Sequence, residues 1–203
     1  INTAIAGGIG IGLSNSFSAL YAQSGASQKR IGIIGLDTSH SIAFTKALNA
    51  AGASADFKGY KVVAAYPKGS NDIISSAERI PGYTEEVKKL GVEIVSSIKE
   101  LLKKTDYILL ETNDGRLHLQ QALEVIKAGK PMFIDKPIAA SLKDAVAIFK
   151  AAEQNNVPVF SSSSLRFMTS AQEVAKGKVG KVLGADCYSP AHLEKTHPDL
   201  FWY

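Results

Sequence analysis

The stretch Arg30-Ile31-Gly32-Ile33-Ile34-Gly35-Leu36-Asp37-Thr38-Ser39-His40 decides how the chain reads. Ile31 to Gly35 is a short apolar run that stops at a glycine, the pattern of a buried strand. Ser39 to Ala51 follows with Ile42, Phe44, Ala47, Leu48 and Ala51 on one helical face, and Gly52 ends it. Strand, tight turn and helix in that order are the first half of a β-α-β unit.

Outward from this unit the alternation repeats. Lys61 to Tyr66 is a second strand, then a polar loop, then a short helix from Thr84 to Leu90. Val92 to Val95 is a brief strand. Ser97 and Glu100 make a capping box for the next helix. Tyr107 to Leu110 is an apolar strand, and Leu117, Leu119, Ala122, Leu123 and Ile126 line a helix ending at Gly129. Met132 to Ile134, a helix capped by Ser141 and Asp144, and Val157 to Phe160 complete the series. Apolar strands separated by amphipathic helices imply an α/β fold with a doubly wound parallel sheet covered on both sides. After Ser161 to Ser164 the character changes. A helix from about Phe167 to Ala175 reaches Gly177, and Val179 to Tyr188 reads as a long strand of a second sheet, mainly antiparallel. Cys187 falls within it as a half-buried residue.

Composition sets the outer bounds. The 203 residues are 45% hydrophobic and 21% charged, as in an ordinary globular protein. The net charge is +4, but the lysines stand among acids, as in Glu85-Glu86-Val87-Lys88-Lys89, and no basic stripe with interleaved aromatics marks a nucleic-acid binder. One cysteine excludes an internal disulfide and a cysteine-based zinc site. Residues 1–26 carry no charge. Ile5 to Leu13 is similar to the apolar core of an export signal, and Ser24-Gly25-Ala26 offers small residues for cleavage. Glycines 7, 8, 10 and 12 and the polar Ser14-Asn15-Ser16 argue against a membrane span. The expected organisation is an incomplete export signal over 1–26, a nucleotide-binding domain over 27–163 and the start of a second α/β domain over 164–203, with the product exported to the periplasm.

Chemistry concentrates at turns. The turn after the first strand is where a doubly wound fold holds a pyrophosphate against a helix N-terminus. The dinucleotide fingerprint wants glycine at Gly35, Asp37 and His40, and only Gly35 complies. Asp37 would set a negative charge against the diphosphate, a repulsion of about 1 kcal/mol at 4 Å in bulk water and about 4 near a protein surface. Asp37 or Thr38 can equally serve as the helix cap. The second strand ends Ala65-Tyr66-Pro67-Lys68-Gly69-Ser70, with a cation where an NAD enzyme has a ribose-binding acid. Lys68 and Ser70 suit a ribose 2′-phosphate, so NADP is favoured slightly over NAD.

A later block carries a family resemblance. Arg116 and His118, Ala128-Gly129-Lys130-Pro131 and Phe133-Ile134-Asp135-Lys136-Pro137 resemble the Gfo/Idh/MocA oxidoreductases, whose strand at this place ends in Glu-Lys-Pro. Ser164-Leu165-Arg166-Phe167 and Gly177-Lys178-Val179-Gly180-Lys181-Val182 resemble the family's link into its second domain. The resemblance implies a Rossmann-like first domain, a nicotinamide cofactor, oxidation or reduction at a hydroxyl carbon of a sugar, inositol or related small molecule, and a homo-oligomer when full length. It makes Lys136 the catalytic candidate, held at the sheet edge by the stiff Pro137 and facing the same crevice as the Gly35–His40 turn. The candidate cofactor residues are Gly35, Asp37, Thr38, Ser39, His40, Lys68, Ser70, Asn113, His118, Asp135, Lys136 and Arg166, with no metal ligands among them. His118 reads alternatively as a packing or capping residue. The family's catalytic Asp and His lie in the second domain, and His197 and Asp199 do not fit their helical spacing. The degenerate glycine loop leaves a competing reading: an exported carbohydrate-binding or non-redox protein on the same scaffold.

Overall fold

The computed structural model describes residues 29–188. The expected export signal and the aromatic stretch from Pro190 to Tyr203 lie outside the described residues. Six parallel strands form one sheet in the order β3-β2-β1-β4-β5-β6. They are β1 Lys29–Ile34, β2 Tyr60–Tyr66, β3 Glu93–Ile94, β4 Tyr107–Leu110, β5 Met132–Ile134 and β6 Val159–Ser161. The helices between them are α1 Ser39–Asn49, α2 Ile74–Lys89, α3 Ile98–Lys104, α4 Gly115–Lys127 and α5 Leu142–Gln154, followed by α6 Thr169–Ala175. The strand order reverses direction between β1 and β4, and ligand crevices open at such a switch point, beyond the carboxyl ends of the strands.

Alternation along the strands splits the core in two. Ile34, Ala64, Ile108, Leu110, Met132 and Ile134 face one way and pack with Leu101 of α3, Ala122, Val125 and Ile126 of α4 and Ile148 of α5. Ile31, Ile33, Val62 and Ala65 face the other way, towards Ile42 of α1 and Val87 of α2. Gly32 lets α3 close in: a Cβ there would stand 3.0 Å from both Leu101 and Thr105. The second face is incompletely covered. Phe133 meets Phe44 of α1 edge-on at 5.9 Å, Phe160 tilts onto Phe133 at 5.2 Å, and Phe160 stays 63% exposed. The expected two-sided cover therefore holds over β1 and β2, and among the described residues it stops short of β6.

Four further expectations are corrected. The helix read from Thr84 begins at Ile74, ten residues earlier. Pro81-Gly82 looked like a break, but Pro81 sits on the exposed side of α2, so the ring leaves the buried contacts of Ser76 and Val87 intact. The entry is fixed by Ile73, which is buried and whose N–H donates to Ser70 Oγ at 3.4 Å. The strand expected from Val179 to Tyr188 is absent, Leu183 and Tyr188 are 87% and 100% exposed, and Cys187 is exposed rather than half-buried. A strand needs a neighbour for its N–H and C=O groups, and the described residues supply none there. The capping box is also displaced. Ser97 Oγ accepts from the Glu100 N–H at 3.2 Å, but Glu100 returns to the N–H of Ser96, at 3.0 Å.

Ile134 is fully buried at the centre of the first core. Ile134→Ala is expected to lower unfolding free energy by about 2 to 5 kcal/mol, read as a shift of the urea midpoint at unchanged m-value.

Candidate active site at the carboxyl edge of the sheet

The ladder runs one residue beyond three strands. The Glu111 N–H donates to Ile34 O at 2.8 Å, and the Asp135 N–H donates to Leu110 O at 2.9 Å. Since Ile34, Leu110 and Ile134 are register partners, Gly35, Glu111 and Asp135 form the next row. Gly35 has φ +92°, and a Cβ on it would stand 2.5 Å from the Thr112 nitrogen, so only glycine passes between β1 and the loop after β4. The turn then continues along β2, with Gly35 N–H bonded to Tyr66 O at 2.9 Å.

Asp37 turns inward, so its carboxylate does not stand at the crevice mouth where a pyrophosphate would meet it. It is fully buried, Oδ1 accepts from the Asn113 N–H at 3.0 Å, and a Cβ on Gly69 would collide with it. Burial pushes its pKa up, and the backbone N–H groups of Asn113 and Ser70 oppose that. The cap of α1 is Thr38, whose Oγ1 accepts from the His40 N–H at 3.4 Å. Ser39 is exposed on the first turn. His40 reaches across to Asp135, Nδ1 to Oδ2 at 2.6 Å, which ties the β1–α1 turn to the end of β5. Lys136 follows, exposed, and no hydrogen bond holds its ammonium among the described residues.

His118 is fully buried. Its Nε2 lies 2.6 Å from Thr112 O and its Nδ1 3.0 Å from Ile138 O, so it links the loop after β4 to the loop that carries Lys136. The first residue of α4 tightens the same joint: a Cβ on Gly115 would stand 2.9 Å from the Ala139–Ala140 backbone. Arg116 takes both oxygens of Asp72 and both of Asp114, joining the loop after β2 to the loop after β4. Arg116 holds Asp72 down to about 2. At Asp114, burial pushes the carboxyl up, but the bonds from Arg116 and Ser70 outweigh it and hold the group below its ordinary range. Ser70 is buried in this network, Oγ donating to Asp72 Oδ1 at 2.7 Å, while Lys68 is exposed beside it. Arg166 is exposed on the short 3-10 turn Ser164–Phe167.

The structure thus brings Gly35, Asp37, His40, Asn113 and Asp135 together, with His118 behind them. Among the described residues no hydrogen bond or ion pair joins the side chains of Lys68 and Arg166 to this group. Glu111 escapes the sequence reading. It is fully buried, neither carboxylate oxygen has a hydrogen-bond partner among the described residues, and desolvation, with Asp135 and Asp37 adding repulsion, pushes its pKa well above the ordinary carboxylate range. Its one signal in the sequence is an acid directly after the apolar Tyr107–Leu110. Beside the edge lies an apolar cavity of about 480 Å³, lined by Phe44, Phe133, Phe160 and Phe167 with His40 and Asp135 at its polar end.

A parallel sheet in this order, with a glycine turn and a helix N-terminus at its switch point, defines the dinucleotide-binding Rossmann class. The sequence profile of the Gfo/Idh/MocA family, described as an oxidoreductase family with an NAD-binding Rossmann fold, matches residues 29–163, and the chain belongs to that family. A 1,5-anhydro-D-fructose reductase of Ensifer adhaerens is 30% identical over 129 residues, 59% of this chain and 38% of the relative. An oxidoreductase of Streptococcus pneumoniae serotype 4 is 26% identical over 122 residues, 57% of this chain and 32% of the relative. The matched stretch thus spans about a third of these curated relatives. Among solved structures, the fold is similar to the WlbA dehydrogenase from Bordetella pertussis in complex with NADH and UDP-GlcNAcA, with TM-score 0.58, 22% identity and coverage of 75% of this chain and 42% of that one. It is also similar to the UDP-N-acetylglucosamine 3-dehydrogenase GnnA from Acidithiobacillus ferrooxidans, with TM-score 0.57, 18% identity and coverage of 72% and 41%.

The raised pKa of Glu111 has a defined sign in stability. Above the ordinary carboxylate pKa, about 4.3, the unfolded chain has released a proton that folded Glu111 still holds. Stability therefore falls as pH rises from there towards the folded pKa. Asp37 acts in the same direction. In chelator-treated protein, Glu111→Gln is expected to flatten this slope, measured as urea midpoints between about pH 4.5 and pH 8. An unchanged slope would remove Glu111 as its source.

Proposed function

We propose that the whole protein is an NAD(P)-dependent oxidoreductase acting on a hydroxyl carbon of a sugar, inositol or related small molecule. The observation that carries this reading is the His40–Asp135 bond, which sets the residue before Lys136 against the β1–α1 turn. A dinucleotide fits that edge: Gly35 allows the tight turn, Asp37 is turned inward, and Thr38 and Ser39 stand at the first turn of α1. The bound nicotinamide would supply the hydride acceptor or donor.

The chain's own residues supply position and charge. The Lys136 ammonium donates a hydrogen bond to the substrate hydroxyl oxygen and stabilises negative charge building on it. Asp135, His118 and the packed Gly115–Ala140 contact hold the Lys136 loop in place. The reductase named among the relatives and the nucleotide-sugar dehydrogenases among the folds support a carbohydrate-like substrate. Export and a homo-oligomeric assembly belong to the same proposal. The export signal rests on the uncharged leader, and no helix among the described residues is long and apolar enough to cross a membrane.

NADP is the preferred cofactor in this reading, because no carboxylate ends β2 and Lys68 is exposed beside it. Titration of the intact protein, followed by nicotinamide fluorescence, should give micromolar binding of NADPH. Lys68→Ala should weaken NADP by about 1 to 3 kcal/mol and leave NAD nearly unchanged. Equal losses would remove Lys68 from the site, and no binding of either cofactor would favour a non-redox carbohydrate-binding protein. Lys136→Met should lower kcat by about 100- to 1,000-fold while cofactor Kd moves little. A loss confined to cofactor affinity would contradict the role given to Lys136.

A further inference from the structure

We propose that His40, Glu111 and Asp135 form a site for one divalent transition-metal ion under the floor of the crevice. Each residue offers one ligand atom, and these atoms all lie within 4.8 Å of one another. An ion with nitrogen and oxygen ligands at about 2.0 to 2.2 Å holds its ligand atoms about 3 to 4 Å apart. Around an ion the His40–Asp135 contact, which stands at 2.6 Å, would open slightly. Glu111 and Asp135 sit on backbone fixed by the extended ladder. Metal sites need that rigidity.

The decisive observation is Glu111. Its carboxylate is 0% exposed, and neither oxygen meets a donor among the described residues. Folded proteins rarely leave such a group uncompensated. Asp135 is 5% exposed and Asp37 0%. None of the ion pairs among the described residues brings Lys or Arg to Glu111, Asp37 or Asp135. The basic group at the cluster is His40, whose side chain is 37% exposed and so faces the crevice. This residue also occupies a position where the dinucleotide fingerprint has glycine. The departure from the glycine pattern and the unpartnered acid therefore meet at one point.

One imidazole and two carboxylates suit Zn²⁺, Mn²⁺ or Fe²⁺ better than the all-oxygen preferences of Mg²⁺ and Ca²⁺. Three protein ligands leave a position open on the exposed side, next to the loop of Lys136, where a water or a hydroxyl oxygen can coordinate. The site shares His40 and Asp135 with the proposed dinucleotide edge, so metal binding is measured without dinucleotide.

The test uses intact protein stripped with chelator, dialysed, and titrated with Zn²⁺ and separately with Mn²⁺ in the absence of dinucleotide. Calorimetry and metal content after desalting should give one ion per chain for at least one of the two. That ion should also raise the melting temperature of the wild type. Glu111→Gln and His40→Ala should each weaken binding by at least about 10- to 100-fold and abolish the metal-induced thermal shift. Circular dichroism of the metal-free variants checks the fold, and the half-exposed His40→Ala decides the matter if Glu111→Gln does not fold. The proposal is overturned by absence of saturable binding, or by a folded variant that binds as tightly as wild type. The separate fluorescence titration with NADPH keeps failure here distinct from failure of the oxidoreductase reading.

Discussion

Two backbone hydrogen bonds, Glu111 N–H to Ile34 O and Asp135 N–H to Leu110 O, carry the parallel ladder one residue past its strands. Everything at the crevice is built on that row. The side chains there cannot drift, because their Cα positions belong to the sheet rather than to the loops. Gly35 completes the row without a side chain, since the Thr112 backbone occupies the space a Cβ would need. The loop after β4 can therefore approach β1 closely enough for the Asn113 N–H to reach Asp37 and for Thr112 O to meet His118. A bulkier residue at 35 would separate these loops and dissolve the joint that positions Lys136.

Charge at this edge is divided between two very different environments. At the rim, Arg116 neutralises Asp72 and Asp114 through paired hydrogen bonds, in a planar geometry suited to carboxylates. That network ties two loops together and is internally complete. Beneath the rim, Glu111, Asp37 and Asp135 share a buried pocket with one partly exposed imidazole. The first cluster holds the frame. The second holds unspent electrostatic potential, which is characteristic of sites that bind or react. The aromatic side chains of Phe44, Phe133 and Phe160 add an apolar wall beside the polar floor.

Much of the fold was legible in the chain. Apolar runs at Ile31–Ile34, Tyr107–Leu110 and Met132–Ile134 are too short for helices and too continuous for exposed strands, so they specify buried parallel strands on their own. Ser97, Ser141 and the apolar stripes of α4 and α5 mark helices because cap and period are local properties. The start of α2 was hidden, since Pro81-Gly82 is a breaker by local rules and is tolerated only on the exposed side of a packed helix. The expected strand from Val179 to Tyr188 failed for a related reason: β structure needs a partner that local sequence cannot supply.

The candidate site divides along the same line. Sequence by itself determined that Gly35 begins a turn at a strand end, that Lys136 follows a strand, and that the Asp-Lys-Pro block marks the oxidoreductase family, because each depends on neighbours in the chain. Only the tertiary structure decided where the acids point. Asp37 looked like a charge facing a pyrophosphate, and it is buried against Gly69 and Asn113. His118 read either as a cofactor contact or as a packing residue, and it is enclosed between two carbonyls. Glu111 drew no notice beside Leu110, yet strands β1, β4 and β5 bring it between His40 and Asp135, 71 positions before it and 24 after it in the chain. The electrostatics of a carboxylate depend on distance and burial in three dimensions, and sequence spacing encodes neither.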